Sequence, residues 1–263
     1  MRYLHLYFTY IKRSIIARLE YKKDTFISII SFFMVNAAAI LSISFILNSI
    51  PSLDGWTMSE IGFLYGFSMM PVAIDHLFSD DLWTVAYYKV RSGELDRMFL
   101  RPIPVLFQVI AETFQLEGLG ELFVGIIMLA VCGNLINVSW SFSLVLLLIV
   151  ATIFGGLIIT SLKIIFASLA FIFRRSGPLL QVVYNFISYT RYPLSIYPQF
   201  VKVILTFLFP FAVFISFPIE TVLYNKYSPY LLILIIILVS IAILALSIVI
   251  WWLCSKKYES SGS

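Results

Sequence analysis

Apolar residues run in long blocks along this chain, and short polar stretches separate them. The clearest blocks are residues 25–47, 61–78, 118–136, 142–173 and 229–253. A bilayer core of about 30 Å is crossed by a helix of about 20 apolar residues, and each block has that length. Lipid offers no partner to a backbone N–H or C=O, so only helices or a closed barrel can cross it. Barrel strands would be segments of about 10 residues with alternating polarity, unlike these unbroken runs. Residues 1–23 follow another pattern. Leu4, Tyr7, Phe8, Ile11, Ile15 and Leu19 recur at helical spacing among Lys and Arg. That predicts an amphipathic helix lying in the interface, its cations toward anionic headgroups.

Residues 176–228 break the pattern. A short apolar run is followed by Pro193, Pro198, Pro210 and Pro218. Two helices of about 10 residues reach only about 15 Å each, half the membrane. The reading adopted is a fifth span over 176–192 and a re-entrant pair of half helices over 193–218 on the outer side, with the four prolines as a gate. The alternative makes 176–199 an inner loop and 200–217 the fifth span. Either version gives an all-α integral membrane protein of one domain, 1–263, with six transmembrane helices and an N-terminal interfacial helix; the adopted reading adds a re-entrant segment before the last helix.

Composition agrees. Of 263 residues, 61% are hydrophobic and 12% charged, against roughly 25% charged in soluble domains. Mean hydropathy is +0.98. The formal charge is +4, but the cations flank apolar spans, so they orient the chain and do not point to nucleic acid. Arg2, Lys12, Arg13, Arg18, Lys22, Lys23, Lys89, Arg91, Arg97, Arg101, Arg174, Arg175, Lys256 and Lys257 fall on one side, and Arg191, Lys202 and Lys226 on the other. Both termini are therefore expected in the cytoplasm. Cys132 and Cys254 fall at opposite faces, too far apart for a disulfide.

Motifs for chemistry are missing. No G-x-x-x-x-G-K-[ST] phosphate cradle, no H-E-x-x-H and no G-x-S-x-G occurs. No catalytic residue and no metal ligand set is expected. Gly62 and Gly66 form a G-x-x-x-G pair suited to close helix packing. Asp75 and His76 lie near the inner end of the second span; a proton relay and a polar pair at the headgroup level are the two readings. Lys163 is the one cation left inside a span. Its depth matches that of Glu117 on the preceding span, with Glu121 one turn deeper, so the expected intramembrane pair is Lys163 with Glu117 or Glu121. The competing reading has Lys163 snorkelling to the headgroups.

The polar stretch 79–104 contains Arg91-Ser-Gly-Glu-Leu-Asp-Arg-Met-Phe-Leu-Arg-Pro-Ile-Pro104. Gly93 and Pro102 bracket a short helix that suits docking into another protein's groove; an ordinary solvated loop is the plainer alternative. Gly93-x-Leu95-Asp96-x-x-Phe99-Leu100-Arg101-Pro102 resembles the G-x-L-D-x-x-L-x-R-P signature of a bacterial ABC-2-type transporter permease family, with Phe99 where that family carries an aliphatic residue. The basic N-terminal helix, the six spans and the proline-rich segment resemble that family too. The resemblance implies a permease subunit in the bacterial cell membrane that pairs with an identical or sister permease. It implies two separate ABC ATPase subunits, which bind ATP and Mg, so that this chain holds no cofactor and no ATPase site. Residues Gly93, Glu94, Leu95, Asp96, Arg97, Phe99, Leu100, Arg101 and Pro102 would form the cytoplasmic coupling helix that meets them. Export of a hydrophobic or amphipathic cargo (drug, peptide or lipid) is implied as well. An ion-gradient-driven transporter or channel is the alternative reading.

Overall fold

The computed structural model describes residues 2–20, 23, 27, 30, 31, 34 and 52–259. Their regular structure is helical, with no strand among the described residues. The expected first span, 25–47, lies outside the described residues, apart from helical positions 27, 30, 31 and 34. Helix α1 (Arg2–Glu20) rests on the element that follows the polar stretch. The Tyr7 and Phe107 rings lie 6.3 Å apart, and Ser14 Oγ accepts from the Phe114 amide at 3.1 Å.

Helix α2 (Met58–Ser79) begins with a capping box. Thr57 accepts from the Glu60 amide, and Glu60 reaches back to the Thr57 amide at 2.7 Å, so two orphan donors of the first turn are satisfied. After Ser79 the chain stays helical through three short pieces, Leu82–Thr84, a π turn Val85–Lys89 and Val90–Ser92. Gly93, at φ 73°, then turns it into α3 (Glu94–Phe99). Helix α4 (Val105–Glu112) leads into α5 (Glu117–Ile136), and α6 (Phe142–Ser168) continues as Ala170–Phe173.

Helix α2 is the centre of the bundle. It packs along α5 on one side and α6 on the other, while α6 also packs along the last helix, α11 (Pro229–Ser255). The G-x-x-x-G pair lies where the sequence predicts close packing. A Cβ on Gly66 would sit 2.5 Å from Met128 Cβ, and one on Gly125 would sit 2.7 Å from the Gly66 carbonyl oxygen. The two backbones therefore approach as closely as small residues allow.

Four described helices are long and apolar enough to cross a membrane: Met58–Ser79, Glu117–Ile136, Phe142–Phe173 and Pro229–Ser255. All four match expected spans. The expected fifth span, 176–192, does not. It is α7 (Gly177–Tyr189), 13 residues long, or about 20 Å against the ~30 Å needed. Thr190 caps it, and Pro193 forbids its continuation. The following helices are α8 (Gln199–Val203, prolonged by a π turn to Leu208), α9 (Phe211–Phe214) and α10 (Ser216–Tyr224). They form a pair bent by 76° between Gln199–Leu208 and Phe211–Tyr224, so the crossing helices number up to five if that pair counts as one.

The broken region packs against α2, α6 and α7. The Arg191 guanidinium lies over the Tyr65 ring, well inside α2. The bend at Phe209 packs against Phe186 of α7 and Phe166 of α6, with centroids 4.9 and 6.0 Å away. Only the end of α10 reaches the start of α2, where the Tyr224 hydroxyl donates to Glu60 at 2.9 Å. Three of the expected gate prolines mark breaks. Pro193 precedes a 3-10 turn, Pro198 precedes α8, and Pro210 stands at the bend. Pro218 does not, because it lies in the first turn of α10, where a missing N–H costs nothing.

Candidate coupling surface and buried charge cluster

The short helix α3 has two different faces. Leu95 and Met98 are buried and anchor it to the bundle. Glu94, Arg97, Phe99, Leu100, Arg101 and Pro102 face outward, and Leu100 is 86% exposed. Gln108 fixes the turn after the helix: its amide donates to the carbonyls of Met98 (2.9 Å) and Ile103 (2.8 Å), and its carbonyl oxygen accepts from Arg101 at 3.3 Å. Near the end of the chain, Tyr258 closes the other flank. Its hydroxyl donates to Asp96 Oδ1 at 2.9 Å, and its ring stacks on Phe99 at 5.2 Å. Burial, and then the Asp96 carboxylate, push the Tyr258 phenol up to about 12. So the expected coupling residues divide. Gly93 makes the turn, Leu95 and Asp96 hold the helix in place, and Glu94, Arg97, Phe99, Leu100, Arg101 and Pro102 form an amphipathic surface. A rigid outward apolar pair rimmed by charge suits a groove in a partner better than it suits water.

This element is tied to the bundle by Lys89. Its ammonium pairs with Asp81 and Glu112, bridging the extension of α2 to α4. Burial opposes its charge, but the two carboxylates more than offset this, and its pKa lies above the ordinary lysine value. Asp81 also accepts from Thr84 at 3.1 Å and Thr113 at 3.3 Å.

The intramembrane pair differs from expectation. Lys163 binds neither Glu117 nor Glu121. Its ammonium lies 2.9 Å from Asp75 Oδ2 and 3.5 Å from Asp80 Oδ1. Lys163 and Asp75 are both fully buried, so Lys163 does not snorkel either. The reason is lateral placement. Depth along each helix says nothing about which helices touch: α5 packs mainly on α2, and α6 meets α2 from its other side. Asp75 is saturated with partners. Its Oδ1 accepts from Ser79 and, at 2.7 Å, from Thr160, while the Tyr184 hydroxyl lies 3.5 Å from Oδ2. The Tyr184 ring stacks on His76 at 6.0 Å, and His76 Nδ1 lies 2.8 Å from Glu121. One polar cluster thus joins α2, α5, α6 and α7 in the middle of an apolar bundle.

Sequence reasoning missed Thr160, Ser79 and Tyr184 and weighed Asp75 only as a relay or polar pair with His76. A signal existed: Asp75 and Ser79 are i, i+4, and Thr160 and Lys163 are i, i+3, so each pair shares a helix face. Glu117 begins α5 outside this cluster. Among the described residues, no group of three or more His, Cys, Asp or Glu is placed to hold a metal ion.

The profile of a family described as ABC-2 family transporter protein matches residues 33–262. No curated protein and no solved structure matches the chain. The match takes in the four long helices, the broken segment and the whole of the 93–102 element, and on it the chain belongs to the ABC-2 transporter family, as a multi-pass membrane permease component of an ABC transporter.

Proposed function

We propose that this chain is the permease subunit of an exporter for hydrophobic or amphipathic cargo, driven by two separate ATP-hydrolysing subunits that dock on residues 93–102. The observation that carries the reading is the outward face of α3, with Phe99 and Leu100 presented between Glu94, Arg97 and Arg101 on a helix anchored from behind. The ATP-hydrolysing subunits hold ATP and Mg, and this chain supplies no ATPase site. It pairs with an identical or sister permease in a bacterial cell membrane, with the α3 end and both termini in the cytoplasm. The continuous path from α3 through Lys89 to α2 carries the push of the docked subunits into the bundle. The bent segment between Pro193 and Tyr224 is then the part of the wall that yields, since broken backbone at depth survives only against protein or a wet cavity.

The test is association. A Glu94→Arg, Arg97→Glu, Leu100→Asp triple variant touches only outward side chains, so its own melting in detergent should stay within about 0.5 kcal/mol of wild type. It should lose its ATP-hydrolysing subunits on size-exclusion chromatography of the co-expressed complex. A complex that stays intact and hydrolyses ATP at the wild-type rate would remove the docking assignment. The fully buried Asp75–Lys163 pair favours a second reading, because ionisable residues inside a membrane mark ion paths. An ion-gradient-driven transporter would move cargo in proteoliposomes under a proton gradient without ATP; the permease reading requires ATP.

A further inference from the structure

Half-way along α2, the end of α7 leaves a small polar opening. Its wall comes from Ser68, Met69 and Val72 of α2, Glu121 of α5, and Thr190 and Arg191 just past α7, around a cavity of about 30 Å³. That is room for one small polar group. The depth makes the chemistry unusual. The helical backbone breaks here, after α7, and Arg191, itself exposed, sits level with the middle of α2. Yet among the described residues no carboxylate pairs with Arg191, and its recorded contact is the Tyr65 ring, 5.5 Å away. Glu121, the acid on the opposite wall, is engaged by His76 at 2.8 Å. Beside it, Tyr65 is buried, and among the described residues its hydroxyl finds no hydrogen-bond partner. A planar donor fork not paired with an acid, near a buried orphan hydroxyl and flanked by Met69 and Val72, matches a carboxylate or phosphate group carried on an apolar body, with Glu121 already engaged by His76.

We propose that this cavity is a cargo site for an amphipathic anion, whose headgroup sits on Arg191 while its tail lies along the apolar wall. The assignment names the cargo class of the permease and rests on that reading. It is tested by binding alone, without ATP or ATP-hydrolysing subunits, so it can fail while the docking assignment stands. The purified permease in neutral maltoside detergent is titrated with dodecyl phosphate, with dodecyltrimethylammonium as the same tail bearing the opposite charge, and with inorganic phosphate as the headgroup alone. Thermal shift gives the apparent affinity. Dodecyl phosphate should bind more tightly than either control, and Arg191→Gln should weaken it about tenfold, the loss of one charge-assisted contact. Arg174→Gln, a cation at the far end of α6, should leave it unchanged. If Arg191→Gln does not fold, Arg191→Met replaces it, and the preference for anion over cation is read on wild type in any case. In neutral-lipid nanodiscs, competition by dioleoylphosphatidylglycerol would identify a bilayer lipid as the source of the anion; its failure to compete would identify a free amphiphile. Equal binding of the cationic amphiphile, or an affinity indifferent to Arg191 but sensitive to Arg174, would overturn the proposal.

Discussion

Lys163 and Lys226 each hold a carboxylate at ordinary salt-bridge distance, 2.9 Å to Asp75 and 2.7 Å to Glu220, and Lys163 has Asp80 as a second at 3.5 Å. By distance they rank alike, and by surroundings they are opposites. The side chains of the first pair are 0% exposed on both partners; those of the second are 54% exposed for Lys226 and 9% for Glu220. Water already solvates Lys226, so removing its partner strands nothing. Removing Lys163 would strand a carboxylate inside the bundle with only hydroxyls for company. The comparison shows where polar groups do structural work in a membrane protein. They act where no water can replace them as partners, and there they decide which helices sit side by side.

The largest expected effect follows from that difference. Lys163→Met leaves Asp75 buried and uncompensated, at a cost of about 3–5 kcal/mol, read as a lowered melting temperature in detergent. Adding Asp75→Asn should recover part of the loss, because the stranded charge is gone. A double-mutant cycle with a coupling of about 2 kcal/mol or more is the expected outcome, and a coupling near zero would mean that the four-helix cluster is not held by this pair.

Tyr258→Phe comes next. It deletes one hydrogen bond to Asp96, worth about 1 kcal/mol, and loosens the flank of α3 without touching its outward face. The pH dependence has a definite sign. The phenol sits at about 12 in the folded protein against 10.0 unfolded, so its contribution is complete below pH 10 and is lost as pH rises through about 12. The stability gap between wild type and Tyr258→Phe should therefore stay constant up to pH 10 and close above it. A gap that closed between pH 6 and 8 would point to another group. Glu220→Gln should be the mildest of the three, at about 0–1 kcal/mol and shrinking with salt, because it frees only the exposed Lys226 ammonium. A larger loss would mean that Lys226 is less wet than its exposure indicates.

The same contrast explains what could be read from the chain. The four long helices were legible because a continuous apolar run of membrane length has few other uses. Gly62 and Gly66 announced a close neighbour. The 93–102 element was legible because Gly93 and Pro102 punctuate it locally. What stayed hidden depends on lateral contact. Lys163 and Glu117 do share a depth, but α2 stands between their helices, and no periodicity records that. Leu95 reads like Leu100 in sequence, yet one is core and the other is surface. The segment from Gly177 to Tyr224 was hidden for a related reason: its helices are too short to be recognised by length, and their ends are satisfied by tertiary partners such as the Tyr197 hydroxyl on the Tyr189 carbonyl, at 2.8 Å.

The central claim, that the outward face of α3 is where a separate ATP-hydrolysing subunit sits, is tested most directly by photo-cross-linking. A benzophenone amino acid at Leu100 is compared with the same label at Phe123, which is also exposed but on the flank of α5. In the intact complex, Leu100 should cross-link to the ATP-hydrolysing subunit in high yield and Phe123 should not. Cross-links from Phe123 and none from Leu100 would contradict the account.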